Sequence, residues 1–193
     1  IILPILVVIL AMGIGRMVIS PVEVLKSTFE KFGYDYSINP QNEIVLWTIR
    51  FPRIILALLV GAGLSVAGCA FQSLFSNPLA TPDTLGVASG TSFGAALGIL
   101  MGFSLIGIQF SALLFGIIAV SLTYLSGTGK GHSMNTIVLA GIMIGSLFSA
   151  LVSFTKFVAD SESQLPAITY WLMGSLSSAS YKTLMLGAPF IIV

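Results

Sequence analysis

The sequence predicts an all-α fold, a bundle of helices that crosses a membrane several times. Of its 193 residues, 56% are hydrophobic and 8% are charged, whereas soluble domains carry about 25% charged residues. The mean hydropathy is +1.04, and uncharged stretches reach the roughly 20 residues that a membrane-spanning helix needs. Strands are not expected, because open sheet edges do not occur in lipid. Lipid is therefore the predicted environment of most of the surface.

Charged residues divide the chain into predicted spans, because a charge at the bilayer centre costs about 3 kcal/mol or more. Arg53 and Asp83 bound one uncharged run, and Asp83 and Lys130 bound another that is long enough for two helices. The break in that second run is expected between Gly102 and Gln109. The predicted helices are 1–19, 52–75, 90–103, 109–125, 135–157 and 182–193.

One transmembrane domain over 1–193, truncated at both ends, is the expected organisation. The chain opens with apolar residues, without an initiating Met or the basic segment of a signal peptide. Residues 183–193 form an apolar run of about half a span. The polar segment 20–50 lies between predicted helices 1 and 2, and we expect it at or outside the membrane interface.

Composition and motifs argue against several function classes. A net charge of +1 provides no basic field for nucleic acid. Cys69 is the single cysteine and His132 the single histidine, so we expect no disulfide, metal site or catalytic residue. The segment 127–131 resembles a phosphate-binding loop, but Tyr124 and Gly131 replace its first glycine and its final hydroxyl residue. Any ATP hydrolysis is therefore expected on another chain, and no cofactor on this one.

Glycines are spaced at every fourth residue through predicted helix 3, and the spacing recurs in predicted helix 5. This spacing places small residues on one side of a helix, where another backbone can approach closely. Tight helix packing is the predicted role, and a face that slides during gating is the alternative. The residues concerned are Gly86, Gly90, Gly94, Gly98, Gly102, Gly141 and Gly145.

Linked motifs between Trp47 and Leu176 closely resemble the FecCD-type permeases, the membrane subunits of ABC importers for ferric siderophores, haem, cobalamin and some oxyanions. The motifs are R-F-P-R at 50–53, N-P-L-A-x-P at 77–82, L-G-V-x-S-G at 85–90 and Y-W-L-M-G-S-L at 170–176. They occur in family order and near family spacing.

This resemblance implies a type II importer fold of ten helices, of which the chain would hold helices 1–5 and the start of 6. It implies a homo- or heterodimer of permease subunits in a prokaryotic cell membrane, two cytoplasmic ATPase subunits that carry ATP and Mg²⁺, and an extracytoplasmic binding protein. The implied function is import of a metal chelate, with ferric siderophore the commonest case. An ATP-independent channel or carrier and a membrane scaffold are the alternatives. The absence of charge inside helices 2 to 5 argues against an ion-coupled carrier.

Three sets of site residues follow from the resemblance. Arg50 and Arg53 would dock the binding protein at the outer face; the alternative is that they snorkel toward lipid headgroups. Trp171 and Met173, in the loop between helices 5 and 6, would line the outer entrance; the alternative is that they anchor this loop at the membrane interface. The cytoplasmic gate would consist of Asn77, Leu79, Met134 and Asn135, whereas a plain helix-ending turn is the alternative for Asn77-Pro78.

Overall fold

The computed structural model describes residues 2–31, 33–34, 39–78, 80–127 and 134–192. Every regular element in these ranges is helical, which confirms the predicted all-α class. The chain separates into two compact units. The first unit contains 1–65 and 175–193, and the second contains 66–174.

The first unit is built from five α-helices and a short π-helix. They are α1 (Ile2–Gly13), α2 (Pro21–Glu30), α3 (Pro40–Ile44), the π-helix Val45–Arg50, the first part of α4 (Phe51–Phe75) and α9 (Tyr181–Ile192). Two helix starts follow the N-cap rule, since Ser20 Oγ accepts from the Glu23 amide at 3.2 Å and Asn39 Oδ1 from the Gln41 amide at 3.0 Å. Both caps are followed by proline, which suits the first helical position.

Two boundaries in this unit differ from the prediction. Helix 1 was expected over 1–19, but α1 ends at Gly13, where Gly13 and Gly15 weaken the helix and Arg16 follows. Helix 2 was expected from 52, yet helical structure runs continuously over Pro40–Phe75. Charges limit what lies in lipid and do not interrupt hydrogen bonding along a helix. The polar segment also forms α2, which composition did not predict.

The second unit contains the end of α4, a 3₁₀ turn (Pro82–Leu85), α5 (Val87–Leu100), α6 (Leu105–Gly127), α7 (Met134–Val158) and α8 (Gln164–Met173). Here α5 packs against α6, α7 and α8. Phe93 contacts Phe115 edge to face at 4.9 Å between ring centroids and Phe148 at 5.8 Å. The helices α5, α6 and α7 correspond to the predicted helices 90–103, 109–125 and 135–157, whereas α8 lies where a loop was predicted.

Three helical stretches in the described residues are long and apolar enough to cross a membrane. They are Pro40–Phe75, Leu105–Gly127 and Asn135–Val158, and the apolar helices Leu3–Gly13 and Val87–Leu100 are shorter. Many of their large apolar side chains are exposed, including Leu64, Val66, Leu125 and Phe157. An exposed apolar surface of this extent fits lipid rather than water.

Candidate functional site

An open cleft of about 640 Å³ in the first unit is lined by Arg16, Arg50 and Arg53. We call it the arginine cleft. No acidic side chain of the described residues lines it, and its remaining walls are mainly apolar. They include Ala11, Ile14, Val45, Ile54, Ala57 and Leu176.

Arg50 is turned into the protein and is only 8% exposed. Its Nη1 donates to the carbonyl of Met12, in the last turn of α1, and its Nη2 donates to the carbonyl of Met17. The guanidinium fork therefore satisfies the Met12 carbonyl, which the end of α1 leaves unpaired, and the Met17 carbonyl in the segment that follows α1. Gly15 makes room for it, since a Cβ there would lie 2.7 Å from Nη2. A guanidinium group that is bound to two carbonyls of its own chain does not fit the docking role predicted for Arg50.

The side chains of Arg53 and Arg16 make fewer hydrogen bonds to the described chain than the side chain of Arg50 does. Arg53 Nη2 donates to the Ser177 carbonyl at 2.7 Å, while its buried Nε has no hydrogen-bond partner in the described part of the chain. Arg16 is exposed, and neither a hydrogen bond nor an ion pair holds its side chain within the described ranges. Sequence reasoning missed Arg16, although a charge directly after Gly13 and Gly15 marks the end of a span.

Polar contacts connect the π-helix with α2 and α9 and join Lys31, just after α2, to α3. Trp47 Nε1 donates to Ser27 Oγ at 2.9 Å, and the Tyr181 hydroxyl donates to the Trp47 carbonyl at 2.6 Å. Lys31 forms an ion pair with Glu43 at 2.8 Å, and the hydrogen bond to this carboxylate raises the pKa of Lys31. The π-helix is thus linked to both α2 and α9.

Glycines of α5 allow α6 to approach closely. A Cβ on Gly90 would lie 2.6 Å from the Ala119 Cβ and 2.7 Å from the Phe115 carbonyl oxygen. Gly94 faces the Ser111 carbonyl, and its own carbonyl accepts from Ser111 Oγ at 2.7 Å. Gly98 lies against Ile108, whose Cα would be 3.3 Å from an added Cβ.

A second close approach joins α7 to the 3₁₀ turn. Gly141 lies against the Thr84 carbonyl, and a Cβ on Gly86 would lie 3.0 Å from the Gly145 nitrogen. Gly86 has φ +72°, a conformation that strongly favours glycine. Gly102 differs from these residues. It has φ +70° just after α5, and no atom of the described chain lies within 4 Å of a Cβ there, so it forms a turn and does not fit the predicted packing role.

The predicted gate residues are only partly described. Leu79 lies outside the described residues, and Met134 begins α7 but its side chain is not described. Asn77 is exposed just after α4, and Asn135 is exposed in the first turn of α7. Gln72 Nε2 donates to the Pro78 carbonyl at 3.0 Å, which holds the turn that carries Asn77.

Trp171 and Met173 lie on α8 and not in a loop. Their side chains are 37% and 78% exposed. The turn before α8 is held by the Asp160 carboxylate, which accepts from Ser163 Oγ at 2.7 Å and from the Ser163 amide at 2.8 Å. These bonds lower the pKa of Asp160. Gln164 Nε2 donates to the Leu100 carbonyl at 3.0 Å and thereby links α8 to the end of α5.

No group of three or more His, Cys, Asp or Glu side chains that could hold a metal ion occurs among the described residues. Residues 128–133, which include most of the glycine-rich segment and His132, lie outside them.

Comparison with known proteins gives consistent matches along the whole chain. The model of the FecCD transport family matches residues 2–193. The molybdate import system permease protein MolB of Haemophilus influenzae is 38% identical over 95% of this chain and 55% of its own length. The hemin transport system permease protein HmuU of Yersinia pestis is 34% identical over 97% of this chain and 56% of its own length.

A solved structure shows the same fold. A chain of a metal-chelate type ABC transporter in an inward-facing conformation matches with a TM-score of 0.82 and 36% identity, over 99% of this chain and 57% of that one. The chain therefore spans about half the length of the relatives it matches.

Proposed function

Because the chain belongs to the FecCD transport family, we propose that it forms part of the permease subunit of a binding-protein-dependent ABC importer. The observation that carries the proposal is the family match over residues 2–193. The proposed partners are a second permease subunit, ATPase subunits that bind ATP and Mg²⁺, and an extracytoplasmic binding protein. The proposed location is the cell membrane of a prokaryote. An enzymatic role is not proposed.

The proposed solute is a metal chelate, with a ferric siderophore as the first candidate. Haem, cobalamin and oxyanions stay open, since relatives carry the names of molybdate, hemin and cobalamin permeases. The long spans Leu105–Gly127 and Asn135–Val158 expose hydroxyl groups, among them those of Ser121, Ser146 and Ser149, between apolar side chains. Such surfaces suit a bulky solute that must not be held tightly.

Uptake into proteoliposomes tests this proposal. The full-length permease is reconstituted with its ATPase subunits and binding protein, and accumulation of a radiolabelled ferric siderophore, haem, cobalamin and molybdate is compared. We expect one of these solutes to accumulate only with ATP, Mg²⁺ and the binding protein. An ATPase subunit without its catalytic carboxylate is the control. Equal accumulation with that control would favour the ATP-independent channel or carrier.

We further propose that Arg53, rather than Arg50, contributes to docking of the binding protein. Arg53 is half-buried and keeps part of its guanidinium free of protein carbonyls. An arginine at such a rim acts mainly on association rate and salt dependence. Arg53→Glu is expected to reduce the stimulation of ATP hydrolysis by the loaded binding protein at low salt, and unchanged stimulation would contradict the role. The outer entrance at Trp171 and Met173 stays a prediction.

A further inference from the structure

We propose that α2 lies in the surface of the bilayer and inserts one apolar edge into the lipid headgroup region. The edge consists of Val22, Leu25 and Phe29, whose side chains are 59%, 44% and 49% exposed. We call it the apolar edge of α2. A helix of this kind lies along the membrane surface and does not cross it. It would anchor the polar segment that follows α1.

The side chains of α2 form three separate faces. At about 100° per residue, the apolar edge covers about 60° of the helix circumference. Glu23, Lys26 and Glu30 cover a second face of about 60°, whose centre lies about 100° from that of the apolar edge. The third face contains Val24 and Ser27, which are buried. Three such faces fit a position where protein, lipid and water meet.

The buried face fixes the orientation of α2. Val24 packs in the buried cluster that contains Met12 and Leu46. Ser27 Oγ accepts a hydrogen bond from Trp47 Nε1 at 2.9 Å. Rotation of α2 about its own axis would break both contacts, so the apolar edge stays directed away from the buried cluster.

The apolar edge continues an exposed apolar surface that begins at α1. Ile14 directly follows this apolar helix, and Val18 lies just before α2; their side chains are 70% and 86% exposed. The Ile19 amide donates to the carbonyl of Gly13, the last residue of α1, at 3.0 Å. Because this bond joins the start of α2 to the end of α1, α2 begins at the membrane depth at which α1 ends.

Side chains beside the apolar edge have the chemistry of the headgroup region. Phe29 contacts Tyr34 edge to face at 6.1 Å between ring centroids, and tyrosine is enriched at this depth of a membrane. Lys26 is exposed next to the edge and is long enough to bring its ammonium group to a lipid phosphate. A protein partner on this surface would have to cover Ile14 and Val18 as well, whereas lipid is already the expected environment of α1.

Spin-label accessibility in the full-length permease tests the proposal. The experiment needs no ATP, ATPase subunits or solute, so its outcome is independent of the transport function. Single cysteines replace Leu25 or Phe29 in a background whose native cysteines, Cys69 among them, are changed to alanine. The labelled protein is reconstituted in nanodiscs of phosphatidylcholine and phosphatidylglycerol. Electron paramagnetic resonance then measures collisions of each label with oxygen, which concentrates in lipid, and with a nickel chelate, which stays in water.

The matched control is Glu30→Cys, on the charged face of the same helix. We expect labels in Leu25→Cys and Phe29→Cys to lose most of the nickel-chelate collisions seen in Glu30→Cys and to gain collisions with oxygen. Equal nickel-chelate collisions at all three positions would place the apolar edge in water and overturn the proposal. Protection of the edge from both reagents would overturn it in favour of a protein contact within the permease. Protection that appears only after the loaded binding protein is added would overturn it in favour of that partner.

Discussion

Replacing Gly90 by alanine is expected to destabilise the second unit, because the added methyl group has no space. It would lie 2.6 Å from the Ala119 Cβ and 2.7 Å from the Phe115 carbonyl oxygen, against an ordinary carbon contact of about 3.5–4.0 Å. The α5 and α6 backbones must then separate by about 1 Å. That movement also strains the Ser111 to Gly94 hydrogen bond of 2.7 Å and the Thr123 to Leu85 hydrogen bond of 3.0 Å.

The magnitude follows from comparison with Gly61→Ala. Gly61 lies within α4, and no atom of the described residues lies within 4 Å of a Cβ built there. Both changes gain the helix propensity of alanine, about 1 kcal/mol, so this gain cancels in the difference. Overpacking then remains, and it costs about 1–3 kcal/mol.

SDS-induced unfolding of the full-length permease in mixed micelles, followed by circular dichroism, measures this difference. Ala119→Gly in the Gly90→Ala background should restore part of the loss, because it removes one of the two clashing groups and leaves the Phe115 carbonyl. If Gly90→Ala and Gly61→Ala have the same free energy of unfolding, the inference of close helix contact is refuted.

Three further changes test other parts of the structure. Arg50→Lys should lower the free energy of unfolding by about 1.5–3 kcal/mol, because a single ammonium group cannot bind both carbonyls as the guanidinium fork does; unchanged SDS unfolding would show that these bonds contribute nothing. NMR of the Asp160 carboxyl carbon should give a pKa below the roughly 3.9 of an ordinary aspartate. The hydrogen bonds to the Asp160 carboxylate then stabilise the loop above that pH, and this stabilisation is lost as pH falls through the lowered pKa of Asp160. Ser163→Ala should raise that pKa, and an unchanged titration would show that the bonds from Ser163 do not lower it. A cysteine at Asn77 should cross-link across the proposed permease dimer in at least one nucleotide state, because a gate residue lies close to its copy in the partner subunit; cross-linking in no state would refute the gate role.

Several properties could be predicted from the sequence because they depend on composition and local order. Apolar runs bounded by Arg53, Asp83, Lys130 and Lys156 predicted α5, α6, α7 and the C-terminal end of α4 within a few residues, since a charge in lipid is costly wherever it lies in the chain. The motifs from 50 to 176 predicted the family whose model matches residues 2–193. The spacing of the glycines likewise predicted a small-residue side on α5.

The remaining features depend on contacts between distant residues. Arg50 binds the Met12 carbonyl 38 positions away. No local sequence pattern shows whether an arginine just before α4 points toward a partner or into its own chain. Gly90 and Gly102 belong to the same four-residue repeat, yet among the described residues a Cβ on Gly90 would meet another helix and a Cβ on Gly102 would not. The helix α8 is linked to α5 by Gln164, which donates to the Leu100 carbonyl 64 positions away. Sequence therefore determined which segments are apolar enough to cross a membrane, because that depends on composition along the chain, whereas tertiary structure decided which side chains bind groups of their own chain.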